Sequence, residues 1–280
     1  MSLQHIYLDD QVLSQESSDV FELEVSNDDL KHLRVLRVEP GEHVAVVDAS
    51  SDYFECEFVD LSGELPLVRI CGHLDAPLRP KVTLVQGLAK GDKMEEVIRH
   101  ATELGVSAFV PLRAKRSVMK IDQKKLPKKL ARWRAIAKSA AQQSGQPFVP
   151  EVSEPASALQ AAKNLVDATC VLVCWEEAPS VLGMGDALCD ALSHAGVAPH
   201  EAHVAVVVGP EGGLTEDEVS SFVDGCSGGR LVSLGPSILR TETAGIVAPA
   251  LALYELGAMG QFASRCCEGA NSYAEQRKGE

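Results

Sequence analysis

The sequence predicts an α/β fold in which a small β-rich domain precedes a larger domain built on a mostly parallel sheet. The 280 residues suffice for two domains, and 45% hydrophobic with 24% charged residues is the composition of a globular protein. Short alternating apolar runs dominate residues 1–75, whereas strand-like and helix-like segments alternate from residue 82 onwards. This change of pattern sets the predicted domains at 1–75 and 76–265, followed by a tail at 266–280.

The first domain is predicted from period-2 patterns separated by turn residues. Pro40 and Gly41 precede an apolar run, and a polar turn separates that run from the alternating residues of 53–58. Such runs on either side of a short polar turn are typical of a β-hairpin. The segment ELPLVRICGHL at 64–74 adds another strand, and the two prolines of DAPLRPK at 75–81 mark the linker.

The second domain is predicted as strands that alternate with helices. Asp92 and Gly105 are typical first and last residues of one helix, and Thr215 with Glu218 predicts a capping box for another. The predicted strands cover residues 82–89, 106–112, 168–175, 203–208 and 229–235. The predicted helices cover residues 92–105, 124–145, 214–225 and 241–260. This alternation predicts a parallel sheet with helices packed on it.

Charge is distributed unevenly along the chain. Residues 1–79 carry a net charge of −12, residues 80–150 carry +10, and residues 151–280 carry −12, which gives the total of −14. The total argues against a nucleic-acid partner, because phosphates attract basic surfaces. The basic block at residues 80–150 nevertheless makes a nucleic-acid partner possible for one part of the surface, since the local field decides which partners are attracted.

The basic block is densest between Arg113 and Lys138, where eleven Lys and Arg residues accompany a single acid, Asp122. Trp133 lies between two arginines in this stretch. We interpret the segment as a footprint for the phosphate backbone of RNA, because arginines and aromatic side chains suit single-stranded or irregular RNA. The alternative is a solvated helix face, which is the commoner role of a charge run.

Two glycine-containing loops follow predicted strands of the second domain. One occupies residues 209–213, and the other is the segment 234–244, which carries several polar side chains. Ligands of open α/β sheets bind at the carboxyl ends of strands, and glycines let backbone amides approach a ligand. The loops are therefore predicted to form the two lips of one cofactor pocket. The alternatives are an ordinary βα turn for the first loop and a helix start capped by Thr241 for the second.

Cysteine use and the apolar windows predict a cytoplasmic protein without a metal site. None of the eight cysteines forms a CxxC pair, so free thiols are expected rather than zinc ligands. The N-terminal residues lack a signal-peptide pattern, and the most apolar window, 245–258, contains Pro249 and Glu255 and is too short to span a bilayer. We therefore expect a core helix there, no membrane partner and a reducing compartment.

Several stretches of the sequence match the motifs of one protein family. They are HLRVLR at 32–37, KGDKMEEVIRHATELGV at 90–106, the pair Arg116–Ser117, AAQQSG at 140–145, VGPEGGLTEDE at 208–218 and LGPSILRTETA at 234–244. Together they resemble the ribosomal RNA small subunit methyltransferase E family of the SPOUT superfamily over about residues 5–258. The sequence departs from the family pattern at His5, His100, Ser139 and Gln146.

The resemblance implies a fold, a reaction and a set of partners. The implied architecture is an N-terminal PUA-like β-barrel followed by a SPOUT α/β domain with a deep trefoil knot, acting as a homodimer in the cytoplasm. The implied reaction is methylation of N3 of uridine 1498 in the 16S rRNA of the small ribosomal subunit. The implied cofactor is S-adenosyl-L-methionine, and no metal takes part.

The resemblance and the basic block also imply roles for individual residues. The implied cofactor-binding residues are Val208, Gly209, Pro210, Glu211, Gly212, Gly213, Leu234, Gly235, Ser237, Ile238, Leu239, Arg240, Thr241 and Ala244. The implied RNA-binding residues are His32, Arg37, Lys90, Lys93, Lys115, Arg116, Lys124, Lys125, Lys128 and Lys129. The implied catalytic residues are Arg240, Glu242 and Thr243.

The chemistry of this reaction suggests what the catalytic residues do. Uridine N3 carries a proton and is a poor nucleophile until that proton is lost. We hypothesise that Arg240 stabilises the negative charge on O2 or O4 of the uracil and that Glu242 orients Arg240.

Two other classes of protein remain open from the sequence. One is a non-catalytic ribosome assembly factor that binds the cofactor and RNA, and the other is a nucleotide-dependent oxidoreductase. The polar segment RTET at 240–243 favours the enzyme over the assembly factor, since a binding protein has no need of it. The first predicted strand of the second domain is not followed by GxGxxG and an acid, which disfavours the oxidoreductase.

Overall fold

A computed structural model of the chain describes residues 3–177, 182–226 and 228–260. The chain forms two compact units. The first comprises Met1–Pro77 and Lys138–Val149, and the second comprises Leu78–Ala137 and Pro150–Glu280. The predicted tail at 266–280, with Cys266 and Cys267, lies outside the described residues.

The first unit is built on a five-stranded sheet. Its strands are β1 (Gln4–Tyr7), β2 (Phe21–Glu22), β3 (His43–Val47), β4 (Tyr53–Asp60) and β5 (Leu67–His73). They lie in the order β1-β3-β4-β5-β2, and only the pair β1 and β3 is parallel. The predicted hairpin is confirmed as β3 and β4, in which Val44 pairs with Cys56 and Val46 with Phe54 in the core of the unit. β5 is the additional strand predicted at 64–74.

The first unit also contains a helix that its alternating pattern does not predict, α1 (Asn27–Leu36). Ser26 caps this helix by accepting a hydrogen bond from the backbone N–H of Asp29 (3.1 Å), and acidic residues occupy its first turn. The helix ends at Arg37, which takes the left-handed backbone conformation with φ of 56°. Asp29 and Leu33 are its buried residues, so its apolar stripe is too narrow to give a clear helical period.

Two departures from the family pattern lie in buried hydrogen bonds of the first unit. The hydroxyl of Tyr7 donates to the backbone carbonyl of Gln146 (2.5 Å), and burial raises the pKa of Tyr7, so the donor keeps its proton. His5 Nε2 lies 2.6 Å from the hydroxyl of Tyr53, and burial lowers the pKa of His5. The His5 contact requires the histidine ring, whereas the Gln146 contact uses only the backbone carbonyl.

The second unit contains a seven-stranded parallel sheet, which confirms the predicted α/β class. Its strands are β6 (Lys81–Gly87), β7 (Ala108–Leu112), β8 (Glu151–Val152), β9 (Cys170–Cys174), β10 (Leu182–Gly183), β11 (His203–Val208) and β12 (Gly229–Ser233). They lie in the order β10-β12-β9-β11-β6-β7-β8, and every neighbouring pair is parallel.

Six further helices begin in the second unit. They are α2 (Lys93–Leu104), α3 (Leu126–Ser144), α4 (Ala158–Asn164), α5 (Met184–Ala195), α6 (Glu216–Val223) and α7 (Thr241–Glu255). The predicted capping box of Thr215 and Glu218 starts α6, and Gly105 ends α2 as predicted. Asp92 occupies the N-cap position of α2, but its side chain makes no capping hydrogen bond. The sequence patterns predict four of these helices and miss α4 and α5.

Helices cover both faces of this sheet. α2, α5 and α7 pack together on one face, and α4 and α6 pack on the other. Each face has its own apolar core, and the runs of buried residues in β9 and β11 are typical of strands covered on both sides. The apolar window at 245–258 forms most of the packed helix α7, as predicted. Within the described ranges, no helix has the length and apolar character needed to cross a membrane.

Two connections cross at the carboxyl edge of the parallel sheet. β10 follows β9 in sequence, yet it pairs with β12 at the far edge. α7 follows β12, yet it packs against β6 and β11 on the other side of β9. The chain after β9 therefore passes β12, and the chain after β12 passes back across β9. Such crossings on one sheet edge are rare, and a plain doubly wound sheet does not contain them.

Candidate functional site

A pocket opens at the carboxyl edge of the second unit's sheet. Its cavity has a volume of about 540 Å³, inside the range of about 300–1,000 Å³ that is usual for small-molecule sites. The residues that follow β9, β11 and β12 line it, together with the start of α7 and Lys93 from α2. The structure thus brings the two glycine-containing loops to one cavity.

Most of the residues predicted to bind a cofactor line this cavity. Those that line it are Val208, Gly209, Pro210, Glu211, Gly213, Leu234, Gly235, Ser237, Ile238, Leu239, Arg240, Thr241 and Ala244. Gly212 is the exception, because it faces the backbone of Arg116: a Cβ on Gly212 would lie 2.8 Å from the carbonyl oxygen of Arg116.

Besides Val232 and Ser233 at the end of β12, three residues of the lining belong to no predicted motif: Cys174, Trp175 and Glu176. They end or follow β9, which lies between β12 and β11, so the rule that ligands bind at the carboxyl ends of strands is the signal that points to them. The indole Nε1 of Trp175 is buried and has no hydrogen-bond partner within the described ranges, which leaves it available to a ligand. Burial raises the pKa of Cys174 to about 12, so its thiol is neutral and a poor nucleophile.

The first loop can lie close to the sheet only because of two glycines. Gly87 ends β6, and a Cβ at this position would collide with the backbone nitrogen of Pro210. Gly213 has a φ of +71°, which strains any residue with a side chain, and a Cβ there would lie 2.8 Å from Oε1 of Glu176. A larger residue at either position would push the loop away from the end of β6 or from the wall after β9.

Two buried hydrogen bonds join both loops to the central strand β6. The hydroxyl of Thr241 donates to the carbonyl of Gly209 (2.6 Å) and accepts from Nε2 of Gln86 (2.9 Å). These directions are fixed, because a carbonyl oxygen can only accept and a hydroxyl has one hydrogen to donate. Thr241 therefore has a structural role other than capping. The alternative that it caps α7 is wrong, since Arg240 occupies the N-cap position and Thr241 is the first helical residue.

Lys93 joins carboxylates from two different segments. Its Nζ donates to Oε1 of Glu211 (3.1 Å) and forms an ion pair with Oε2 of Glu242 (3.0 Å). Contacts with Glu242 and Glu211 raise the pKa of Lys93. Burial alone would raise the pKa of the Glu211 and Glu242 carboxyls. Hydrogen bonds from backbone amides and from Lys93 instead hold both pKa values below the usual value, and the neighbouring Arg240 also lowers that of Glu242. All three groups are therefore charged at neutral pH.

The three residues predicted to be catalytic have different surroundings. Arg240 lines the cavity and is exposed. Glu242 lies behind the lining, with 17% of its side chain exposed, and contacts the pocket through Lys93. Thr243 is exposed and is not part of the lining.

The predicted RNA-binding lysines near α3 lie at the surface. Lys124, Lys125 and Lys128 are exposed, and Nζ of Lys129 lies 5.6 Å from the ring centroid of Trp133. Trp133 itself is fully buried in an apolar core. The prediction that this aromatic residue contributes to an RNA footprint is therefore wrong: its large apolar ring is held inside the unit, where packing stabilises it.

Lys115 and Arg116 lie beside acidic residues. Lys115 Nζ is 2.7 Å from Oδ2 of Asp217, and Nη1 of Arg116 is 3.2 Å from Oε1 of Glu177. Arg116 also donates to the carbonyl of Gly212 (3.4 Å), so it packs against the first loop. Both cations are partly exposed, and these surface ion pairs contribute little to stability.

The remaining residues predicted to bind RNA are exposed. Lys90 precedes α2, while His32 and Arg37 lie on and after α1 in the first unit. α1 also exposes Val35 and Leu36, so it presents basic and apolar side chains together to solvent.

No cluster of three or more His, Cys, Asp or Glu side chains that could hold a metal ion occurs in residues 3–177, 182–226 and 228–260. The polar chemistry of the pocket is instead that of two carboxylates, a lysine, an arginine and an indole.

Comparisons with known proteins identify the class to which this fold and pocket belong. A family model for an RNA methyltransferase domain matches residues 76–253. The chain is 37% identical over 236 residues to ribosomal RNA small subunit methyltransferase E of Bacillus subtilis, covering 82% of this chain and 89% of that protein. It is 36% identical to the protein of the same name from Mycobacterium bovis, covering 82% of each.

A solved structure gives the same result for the fold. The crystal structure of a ribosomal RNA small subunit methyltransferase E from Neisseria gonorrhoeae, bound to S-adenosyl methionine, matches with a TM-score of 0.71 and 26% identity. The match covers 89% of this chain and 96% of that one. The chain therefore belongs to the ribosomal RNA small subunit methyltransferase E family.

Thr241→Val tests the hydrogen bonds that join the two loops. The substitution leaves the Gly209 carbonyl and the Gln86 amide buried without this partner, and each such group costs about 1–3 kcal/mol. We expect the free energy of unfolding to fall by about 2 kcal/mol in a urea titration followed by circular dichroism. The matched control is Thr243→Val on the exposed side of α7, which should change it by less than about 0.5 kcal/mol. Equal effects of the two substitutions would contradict this role of Thr241.

Proposed function

We propose that this protein methylates N3 of uridine 1498 in the 16S rRNA of the small ribosomal subunit, with S-adenosyl-L-methionine as methyl donor. The observation that carries the proposal is the pocket formed by both glycine-containing loops. Relatives named ribosomal RNA small subunit methyltransferase E support the substrate class. The choice of uridine and of N3 rests on the resemblance of the stretches 208–218 and 234–244 to this family.

The residues of the pocket fit S-adenosylmethionine in size and chemistry. The cavity of about 540 Å³ suits a ligand that joins a nucleoside to an amino acid, and its apolar walls suit a purine ring. The carboxylates of Glu176 and Glu211 suit a ligand with a positive sulfonium and a positive ammonium. The buried Nε1 of Trp175 supplies a donor. The relative from Neisseria gonorrhoeae is bound to the same molecule.

A deep trefoil knot in the domain at 76–265 is part of the proposal. Its support is the crossing of two connections at the carboxyl edge, where the chain after β12 passes back across β9 to begin α7. A knot would hold the loop at 209–213 against the segment at 234–240. The hydrogen bond between Thr241 and the Gly209 carbonyl joins the same two regions.

We also propose that the protein is a cytoplasmic homodimer that pairs through α7. Between Ala244 and Tyr254 this helix consists of apolar residues and tyrosine, and such segments are normally buried. Tyr254 is nevertheless 60% exposed, and Ile238 beside the pocket is 90% exposed. A second copy that covers these side chains would account for an apolar helix at the surface.

RNA binding is proposed for both domains. For the first, at 1–75, we propose a PUA-like barrel that binds RNA through α1, supported by the exposed His32 and Arg37 beside exposed apolar side chains. For the second, support comes from the basic segment at 113–138. The acidic remainder of the chain would repel non-specific RNA, so that only a substrate that fits the basic face binds.

The mechanism follows from what the pocket residues hold in place. S-adenosylmethionine, when bound, supplies a methyl group activated by a sulfonium. The hydrogen bonds from Gln86 to Thr241 and from Thr241 to Gly209 would keep the pocket rigid, so that the methyl group and N3 of the uridine are aligned for in-line transfer. Arg240 would stabilise the negative charge that develops on O2 or O4 as N3 gives up its proton to solvent, and the ionised Glu242 would keep Arg240 oriented.

Cofactor binding is the first test of this function. We expect isothermal titration calorimetry to show saturable binding of S-adenosylmethionine and of its demethylated product, because both carry the adenosine and the ammonium that the pocket suits. NAD is the control and should not bind. Binding of NAD without binding of S-adenosylmethionine would contradict the proposal and favour an oxidoreductase.

Arg240→Ala tests the catalytic role. Loss of one donor to a developing negative charge typically lowers turnover by about 100–1,000-fold, so we expect a loss of at least about 100-fold in methyl transfer to 16S rRNA. Cofactor affinity should stay within about threefold, because the arginine acts on the uracil. The control is Arg99→Ala, an exposed arginine of α2.

Near-normal turnover in Arg240→Ala would contradict the role of this arginine. If the wild-type protein binds both the cofactor and RNA but transfers no methyl group, the non-catalytic assembly factor is favoured instead.

A further inference from the structure

Lys93 occupies a place in the pocket that its expected role does not explain. The family resemblance implies that it binds RNA, whereas its ammonium lies between Glu211 and Glu242. Glu211 belongs to the loop at 209–213 and lines the cavity, while Glu242 lies in the first turn of α7 behind it. A single side chain from α2 thus contacts both segments that form the lips of the pocket.

The position of Lys93 along its helix supports a role beyond helix stability. It is the first residue of α2, where the partial positive charge of the helix dipole disfavours a cation. Acidic residues are favoured at such positions, and Glu95 and Glu96 follow in the same turn. The two carboxylates that Lys93 contacts offset the unfavourable interaction of its charge with the helix dipole. Helix stability therefore does not explain a lysine at this position, whereas its contacts at the pocket do.

The same acid is also held from a second direction. The backbone N–H of Lys90 donates to Oε1 of Glu211 (3.1 Å), the oxygen that also accepts from Lys93 Nζ. Lys90 before α2 and Lys93 at its start therefore hold the Glu211 carboxylate through two donors. Two of the three N–H donors of the Lys93 ammonium therefore face carboxylates, which leaves a single donor for an incoming RNA phosphate.

We propose that Lys93 is a positioning residue of the cofactor pocket, which fixes the loop at 209–213 against the start of α7. This inference rests on the proposed function, since it names a determinant of cofactor affinity. Lys93 acts through Glu211 and Glu242 and does not itself carry out the reaction. It sets how well the empty pocket is preorganised for its ligand.

The central experiment compares cofactor affinity in wild type and Lys93→Met, a substitution that keeps most of the length of the side chain and removes its charge. We expect the Kd for S-adenosylmethionine to rise about tenfold by titration calorimetry, because the charge-assisted contacts with Glu211 and Glu242 are both lost. The KM for the cofactor should rise similarly, with kcat at saturating cofactor changed less than about twofold. The matched control is Lys163→Met on α4, an exposed lysine distant in sequence from every lining residue.

A double-mutant cycle separates positioning from general damage to the fold. Glu242 does not line the cavity, and its ion pair is with Lys93, so Glu242→Gln should weaken cofactor binding mainly through the loss of that ion pair. We expect Glu242→Gln to raise the Kd in the wild-type background and to add less than about twofold in the Lys93→Met background. Additive effects would overturn the proposal. If Lys93→Met does not fold, Glu242→Gln alone must still raise the cofactor Kd for the proposal to stand.

Measurements of RNA binding distinguish a positioning role of Lys93 from a role as a phosphate ligand. Neutralising Lys124, Lys125, Lys128 and Lys129 should lower RNA affinity and its salt dependence, because phosphate contacts release counterions. Lys93→Met should leave both unchanged. If instead it lowers the salt dependence and leaves cofactor affinity intact, Lys93 is a phosphate ligand and the inference is overturned. If the wild-type protein binds no S-adenosylmethionine, the proposed function itself fails, which is a distinguishable result.

Discussion

The hydrogen bonds from Gln86 to Thr241 and from Thr241 to the Gly209 carbonyl are the contacts on which the pocket depends. Gln86 belongs to the central strand, Gly209 to the loop after β11, and Thr241 to the first turn of the helix that follows β12. Gln86 and Thr241 are buried, so losing the bond between them would leave polar groups away from water, and this favours keeping the three segments in register. The absence of a side chain on Gly87 lets the loop come close enough for these bonds to form.

The second unit has different charges at its pocket and along its basic segment. Total charge describes the chain poorly, since a net charge of −14 conceals a basic segment of +10 between two acidic ones. The carboxylates of Glu211, in the lining, and of Glu242, behind it, stay ionised because Lys93 and backbone amides offset the cost of their burial. Outside the pocket, the exposed lysines before and within α3 face solvent. One charge pattern therefore suits a cationic cofactor, and the other suits an anionic polymer.

Sequence patterns predict the two loops of the pocket, because those patterns depend only on residues that are neighbours in the chain. Apolar strands that end in glycine identify both loops, and thirteen of the fourteen residues implied for the cofactor line the cavity. The crossing of two connections is not local, and the general rule against crossings predicts a plainer sheet. Trp133 is misassigned because its charged neighbours suggest an exposed segment, whereas the helix turns its ring into the core. The contacts of Lys93 depend on which segments the fold brings together, and no spacing in the sequence encodes that.

We propose that this pocket serves the methylation of one uridine in 16S rRNA. The most direct measurement is mass spectrometry of nucleosides from the 16S rRNA of a strain that lacks the gene, with the modified position mapped by primer extension. We expect N3-methyluridine to disappear from position 1498 and to return when the wild-type gene is restored, but not when the Arg240→Ala variant is supplied. An unchanged modification profile in the deletion strain would contradict it.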